Sequence, residues 1–355
     1  MPELTTHERM TRVYNHENPD RLPMHDGPWG PTVERWHREG LPAGLWPGQF
    51  FSWDNLVGFG TDNSPRFPVQ TLEQTPEYTI HTTAWGCTMR NWTHHGGVPE
   101  FLDFSIKDRN SWAEAKGRMI PAEDRVNWKL LEDNWEAWRA SGAWITAGAW
   151  FGYDVMASWV VGYERTLMAL ADDPEFCQDF INTCLDLDLA LLGMIWDQGY
   201  RFDSVRWPDD MGYRNGLLFS KDMYRRIVKP AQKRMIDWAH DRGVKTMLHS
   251  CGNIMDLIPD LVEIGLDSLN PLEQKAGMDC FKLKREFGDK LVFEGGIDVR
   301  KMMNGPQIEE EIRTKFEALK ENGGYIYFSD HSVPEDVSFA EYCRVMELVR
   351  YYGKY

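Results

Sequence analysis

From residue 144 onwards, short apolar segments alternate with longer segments that have helical spacing. The predicted strands cover 144–149, 204–208, 245–250, 266–270, 291–295 and 325–330. The predicted helices cover 174–198, 221–242, 255–264, 278–287, 308–322 and 339–351. Repetition of strand and helix is typical of a parallel sheet covered by helices. A further short strand is predicted at 22–26, and no GxGxxG motif follows the first strand. The pattern therefore favours an α/β fold, a distorted (β/α)8 TIM barrel, over a dinucleotide-binding fold. One strand of the eight is unassigned.

Residues 65–105 carry a different pattern, in which β-branched and polar residues alternate, as in the segment 77–83. This pattern predicts an antiparallel β-meander inserted ahead of the main body. A chain of 355 residues, 42% of them hydrophobic, is long enough for one large barrel. We therefore expect a single domain over 1–355 with the meander as an insertion.

The charge of the chain limits its partners. It has 55 acidic and 39 basic residues, a formal net charge of −16, which argues against nucleic acid or an anionic membrane surface. No apolar run reaches the length of about 18 residues that a membrane span needs. The six cysteines are scattered without the spacing of a disulfide framework, so we expect a cytoplasmic location.

Almost every predicted strand ends in a polar or titratable side chain. The active sites of (β/α)8 barrels lie at the C-terminal ends of the strands, so these residues predict an active site. They are His25, Asp26, Tyr153, Asp209, Asp210, His249, Cys251, Asn270, Glu294, Asp298, Asp330 and His331.

His249 and Cys251 are the most specific pair among these residues. Residues i and i+2 of an extended strand point to the same side, so an imidazole and a thiol can converge on one point. Both are preferred zinc ligands, and candidates for a third ligand are Asp330, His331 and Glu294. The alternative is a core histidine beside a small buried thiol.

Two further strand ends leave their roles open. Asp209 and Asp210 are adjacent, so at most one faces the cleft directly and the other is expected to cap a helix or form a salt bridge. Glu294 runs into two glycines and then Asp298, and the glycines allow either close approach to a ligand or a simple tight turn.

These motifs resemble the uroporphyrinogen decarboxylase superfamily, which also contains zinc- and corrinoid-dependent methyltransferases. The similar segments are 19–23, the meander, 209–212 with 220–230, 249–252, 294–298 and 323–325. The resemblance covers nearly the whole chain and implies a distorted (β/α)8 barrel.

The resemblance also helps to choose between the branches of the superfamily. Porphyrinogen decarboxylases bind a polyanionic substrate through an arginine-rich amino-terminal segment, whereas this chain has no arginine between residues 24 and 34. The methyltransferase branch carries His-x-Cys at one strand end, which His249 and Cys251 match, and a cysteine at the last strand. Here the last strand ends in Ser-Asp-His, and Cys343 falls too far along the chain. The resemblance therefore implies zinc (Zn2+) bound by His249 and Cys251. Either Asp330 or His331 replaces the missing cysteine, or the metal is held differently, and we take Asp330 as the expected third ligand.

A shell of His, Cys and Asp leaves zinc a stronger Lewis acid than a thiolate-rich shell, which suits removal of a methyl group from an oxygen. We therefore expect an O-demethylase-like methyltransferase that acts on a small substrate such as a methoxylated aromatic, with the corrinoid carried by a partner protein. The sequence is compatible with a homodimer. The expected catalytic residues are Asp209, Asp210 and Glu294. The expected substrate-binding residues are His25, Asp26, Trp29, Tyr153, Tyr213, Asn270, Asp298 and His331.

Two other functions remain open at this point. One is a metal-free decarboxylase of a small organic acid, which would need a cationic anchor such as Arg206 or Arg214. The other is a non-catalytic binding protein on a barrel scaffold, because a fold alone does not determine function.

Overall fold

The computed structural model describes residues 3–93 and 96–355, so residues 94–95 of the predicted meander lie outside the described residues. The strands are β1 (Leu56–Gly60), β2 (Thr71–Gln74), β3 (Tyr78–Thr82), β4 (Cys87–Trp92), β5 (Glu100–Phe104), β6 (Trp144–Gly148), β7 (Ser204–Pro208), β8 (Gly212–Tyr213), β9 (Gly216–Leu217), β10 (Lys245–His249), β11 (Ser268–Asn270), β12 (Val292–Glu294) and β13 (Tyr325–Ile326). The α-helices are α1 (Thr6–Tyr14), α2 (Gly30–Glu39), α3 (Pro47–Phe50), α4 (Arg109–Lys116), α5 (Trp128–Ala140), α6 (Tyr163–Asp172), α7 (Pro174–Asp197), α8 (Lys221–Met223), α9 (Lys229–His240), α10 (Ile258–Glu263), α11 (Cys280–Phe287), α12 (Gly305–Leu319) and α13 (Phe339–Tyr352). Two π-helical turns, Val155–Val160 and Tyr224–Val228, adjoin α6 and α9.

The main sheet is parallel and curled. Within the described residues it has seven strands in the order β1-β6-β7-β10-β11-β12-β13, so strands joined by a helical crossover lie side by side. His249 is in register with Pro208 on one side and with Asn270 on the other, which places the C-terminal ends of β7, β10 and β11 together. The α/β class predicted from the alternating pattern is therefore confirmed, with a half-barrel sheet of TIM-like curvature.

A short extended segment lies against both edges of this sheet. Tyr327, just after β13, donates its backbone N–H to the carbonyl of Pro23 at 2.9 Å, and Asp54, just before β1, donates to the carbonyl of Met24 at 2.8 Å. The backbone N–H of His25 donates back to Tyr327 at 3.2 Å. The segment predicted at 22–26 thus bonds to both edges, through two backbone hydrogen bonds beside β13 and one beside β1. A closed eight-stranded barrel stays a prediction.

The sequence pattern did not predict β1, and it predicted a longer β13 than the structure has. The segment Leu56–Gly60 contains two glycines, which weaken the strand signal, yet it pairs with β6 over its full length. At the other edge, the strand predicted at 325–330 ends at Ile326, and a single bridge between Ile297 and Ser329 continues the alignment.

The meander and the helices follow their sequence signals. Strands β2 to β5 form the predicted antiparallel sheet in chain order. Ser338 caps α13 through a capping box, in which its hydroxyl accepts from Glu341 N–H and the Glu341 carboxylate accepts from Ser338 N–H. The longest helix among the described residues, α7, packs Leu185 and Leu191 into the core. No helix of residues 3–93 and 96–355 is long and apolar enough to cross a membrane.

Candidate active site

Three side chains converge at the C-terminal ends of two neighbouring strands. His249 is the last residue of β10, Cys251 follows it, and Asp210 follows β7. One ligand atom of each lies within 4.8 Å of the others. The His249 Nε2 atom is 3.5 Å from Cys251 Sγ and 3.9 Å from Asp210 Oδ1. All three side chains are partly exposed, so the cluster is accessible to a small ligand.

Two glycines let the loops after β7 and β10 approach closely enough to form this cluster. A Cβ atom on Gly252, whose φ is +78°, would lie 2.3 Å from the carbonyl carbon of Gly212. The contact is held by hydrogen bonds from Asn253 N–H to the Tyr213 carbonyl, 2.9 Å, and from Cys251 N–H to the Asp210 carboxylate, 2.7 Å. Any side chain on Gly252 would therefore separate Asp210 from Cys251.

A chain of hydrogen bonds supports His249 from inside the sheet. Its Nδ1 atom lies 2.6 Å from the Asn270 side-chain oxygen, and the Asn270 amide donates to Glu294 Oε1 at 2.9 Å. The His25 Nε2 atom lies 3.1 Å from the same Glu294 oxygen. Because the Asn270 NH2 group is used by Glu294, its oxygen must accept from Nδ1–H, which leaves Nε2 as the lone-pair atom facing the cluster.

The electrostatic environment keeps His249 neutral and Glu294 charged. Burial lowers the pKa of His249, and the nearby Arg206 lowers it further. Burial alone would raise the pKa of Glu294, but the charge and hydrogen bond of His25, helped by Arg206, outweigh it and hold that pKa below its usual range. Burial raises the pKa of the Cys251 thiol, with Asp210 adding to the effect. The thiol therefore needs a bound cation to become a thiolate.

The donor set is one that a zinc ion accepts. A neutral imidazole nitrogen, a sulfur and a carboxylate oxygen are the three zinc ligand types, and three protein ligands leave a fourth position for substrate. Asp210 was predicted as a catalytic residue and Asp330 as the third ligand. The geometry instead brings Asp210 next to His249 and Cys251.

Asp330 lies apart from this cluster, and its carboxylate is hydrogen-bonded to the protein backbone. Its side chain is buried, with Oδ1 accepting from Val299 N–H at 3.0 Å and Oδ2 accepting from Gln274 N–H at 2.9 Å. Burial raises the pKa of this carboxyl group. Asp330 thus ties the loops after β11 and β12 to the end of β13.

Asp209 points to the opposite side from Asp210, as expected for adjacent residues. It is fully buried and accepts from Asp154 N–H and from the Gln232 side chain, both at 2.9 Å. Burial raises the pKa of Asp209 to about 8. Its roles visible in the structure are to hold the turn after β6 and to anchor α9.

Two other predicted substrate-binding carboxylates have protein partners. Asp26 is buried and accepts from the hydroxyl groups of Ser329, Tyr327 and Tyr342. Asp298 caps the turn that follows it and forms a salt bridge with a neighbouring arginine. Both carboxylates therefore hold parts of the protein together.

The aromatic residues predicted to bind substrate are dispersed. The Trp29 and His331 rings lie 6.2 Å apart, and Tyr213 is half exposed beside the cluster. Tyr153 is buried, and its hydroxyl has no partner among the described residues. Asp154, which the sequence reasoning did not select, lies close enough to Asp210 that burial and this neighbour raise its pKa to about 7. The sequence feature that could have identified Asp154 is its position shortly after β6.

A solved structure of another protein has a similar fold over nearly the whole chain. A methyltransferase from Methanosarcina mazei superposes with a TM-score of 0.68 at 16% identity, covering 99% of each chain. A D-allulose 3-epimerase from Methylomonas sp. matches at a TM-score of 0.31 and 12% identity over 70% of this chain and 94% of that chain. No curated protein sequence matches. The sequence pattern described as uroporphyrinogen decarboxylase (URO-D) matches residues 148–352, more than half of the chain, so this protein belongs to the URO-D family.

Proposed function

We propose that this protein is a metal-dependent methyltransferase that moves a methyl group between a small substrate and a corrinoid carried by a partner protein. The observation that carries the proposal is the convergence of Asp210, His249 and Cys251 at the ends of neighbouring strands. The similarity in fold to a protein named as a methyltransferase supports it. A methoxylated aromatic is the substrate class we favour, with Tyr213 beside the cluster as one aromatic contact. The segment at 22–26 would complete an eight-stranded barrel around this site.

The metal we propose is zinc, held by Nε2 of His249, Sγ of Cys251 and a carboxylate oxygen of Asp210. When bound, zinc supplies a Lewis acid for an oxygen of the substrate. The protein's part is to hold the ligands in place. Asn270 keeps the His249 proton on Nδ1, and Cys251 N–H orients the Asp210 carboxylate. Both contacts reduce the motion of the ligands before metal binds.

The partly exposed edge of the cluster would accept the substrate. Asp154 lies beside Asp210 and bonds to the Ser158 hydroxyl at 2.5 Å. It can hold a proton near the site at neutral pH, because burial and Asp210 raise its pKa to about 7.

Elemental analysis of the purified full chain tests the proposal. We expect about one zinc or other divalent ion per chain, because three protein ligands form the site. His249→Ala and Cys251→Ala should lose the ion, whereas His37→Ala on the exposed face of α2 and Cys343→Ala on α13 should keep it. Absence of a stoichiometric metal from the wild-type protein, or its retention in both cluster variants, would contradict the proposal.

Transfer itself is measured with reduced cobalamin as the methyl acceptor and methoxylated aromatics as donors, following methylcobalamin by absorbance. The wild-type protein and the two control variants should form methylcobalamin, and the two cluster variants should not. A metal-free decarboxylase would instead release CO2 from an organic acid and would be indifferent to His249→Ala.

A further inference from the structure

Arg206 presents an unpaired positive charge on the inner face of the sheet. Along β7 the side chains alternate, and Trp207 packs outwards, where it stacks on Phe151. Ser204 and Arg206 therefore face inwards. The Nη2 atom of Arg206 lies 3.5 Å from His249 Nδ1, on the side of the imidazole away from Cys251. Arg206 thus lies directly beneath the candidate metal cluster.

This guanidinium group has no acceptor of its own. The His249 Nδ1–H already donates to Asn270, so the 3.5 Å contact is not a hydrogen bond. In the part of the chain that the structure describes, no carboxylate oxygen lies within 4.0 Å of Arg206. Glu294 is close enough for Arg206 to lower its pKa, but neither of its carboxylate oxygens reaches the guanidinium group. Oε1 contacts Asn270 and His25, and Oε2 has no hydrogen-bond partner among the described residues.

The group is also accessible. Arg206 is partly exposed, and within residues 3–93 and 96–355 neither its Nε nor its Nη1 atom is buried without a partner, unlike Nε of Arg90 and Arg242. Most of the other long cations near the core of this acidic protein are held by carboxylates, as Arg9 is by Asp54. An inward arginine without such a partner is a ready-made anion site.

We propose that Arg206 binds a carboxylate group of the substrate. The planar guanidinium fork matches a carboxylate through two parallel hydrogen bonds. The carboxylate would lie on the Nδ1 side of His249 and the methyl-bearing group on the Nε2 side, near Cys251 and Asp210. The substrate is therefore a small methylated acid rather than a neutral methyl ether. This inference rests on the proposed function and specifies its substrate class.

Ligand binding without turnover tests this assignment. The probes are 4-methoxybenzoate and methoxyacetate, each compared with its neutral amide by calorimetric titration of the full chain. We expect at least one acid to bind about tenfold or more tightly than its amide, because a charge-assisted bidentate pair is lost with the amide. Arg206→Gln should abolish this preference, Arg206→Lys should keep part of it, and Arg38→Gln on the exposed end of α2 should leave it unchanged.

A carboxylate could instead bind to the metal, so Cys251→Ala is measured with the same probes. A preference that survives in Cys251→Ala and disappears in Arg206→Gln supports Arg206 as the anchor. The reverse result overturns the inference, as does equal binding of acid and amide, or no saturable binding of either acid to the wild-type protein. Metal content and methyl transfer are measured separately, so the proposed function can fail while the preference for acids remains.

Discussion

The roles of Asp210 and Asp330 can be separated by matched substitutions to asparagine. Asp330 is buried and accepts one backbone N–H on each carboxylate oxygen, from Val299 at 3.0 Å and from Gln274 at 2.9 Å. An asparagine side chain at this position would keep one acceptor and turn an NH2 group towards the other N–H. One charge-assisted hydrogen bond is lost and one buried donor is left unpaired, so Asp330→Asn should lower the free energy of unfolding by about 2–4 kcal/mol. Its metal content should not change.

Asp210→Asn should have the opposite profile. The Asp210 side chain is about one third exposed, and the amide oxygen can still accept the 2.7 Å hydrogen bond from Cys251 N–H. The change in unfolding free energy should therefore stay within about 1 kcal/mol. The neutral amide is a poor zinc ligand, so metal affinity should fall at least about 100-fold.

Both variants are measured in the same two assays, chemical denaturation after metal removal and competition for zinc against a chelator. The reasoning is refuted if Asp330→Asn loses zinc with unchanged stability while Asp210→Asn keeps it. That outcome would restore Asp330 as the third ligand and would require the loops around it to rearrange.

Three further substitutions have separate readouts. Gly252→Ala should lower the free energy of unfolding by about 2 kcal/mol or more and weaken zinc binding, because the added Cβ would lie 2.3 Å from backbone. The control is Gly44→Ala, where φ is +81° but the space is open, and it should lower the free energy of unfolding by only about 1 kcal/mol. Asn270→Leu leaves all three zinc ligands in place but no longer orients the His249 imidazole, so zinc affinity should fall about 10–100-fold. Unchanged affinity would show that Asn270 does not orient His249 for metal binding. The hydrogen bond from Arg225 lowers the pKa of Asp260 to about 2, so the stabilisation by charged Asp260 is present at neutral pH and is lost as the pH falls from about 5 towards 2. Because Arg225 is half exposed, Asp260→Asn should remove only about 1 kcal/mol at pH 7 and little at pH 2, as followed by denaturation.

Much of the fold was predictable because its signals are local. Alternation of apolar strands and amphipathic helices predicted six strands of the parallel sheet, and the helix predicted from residue 339 begins there as α13. Strand β1 was missed because its two glycines carry no side-chain pattern, and its strand conformation depends on pairing with β6. The segment at 22–26 is similar, since its backbone bonds go to Tyr327 and to residue 54, far apart in the chain.

By itself, the sequence predicted that His249 and Cys251 point to the same side, from the two-residue period of an extended segment. Their side chains do meet at 3.5 Å, although β10 ends at His249. Only the tertiary structure decided which carboxylate joins them. Strand β7 lies next to β10, so the turn after β7 reaches the cluster, whereas β13 is separated from β10 by β11 and β12. Asp210 rather than Asp209 faces His249 because two glycine-lined loops touch, a contact that depends on φ angles and on neighbours distant in sequence.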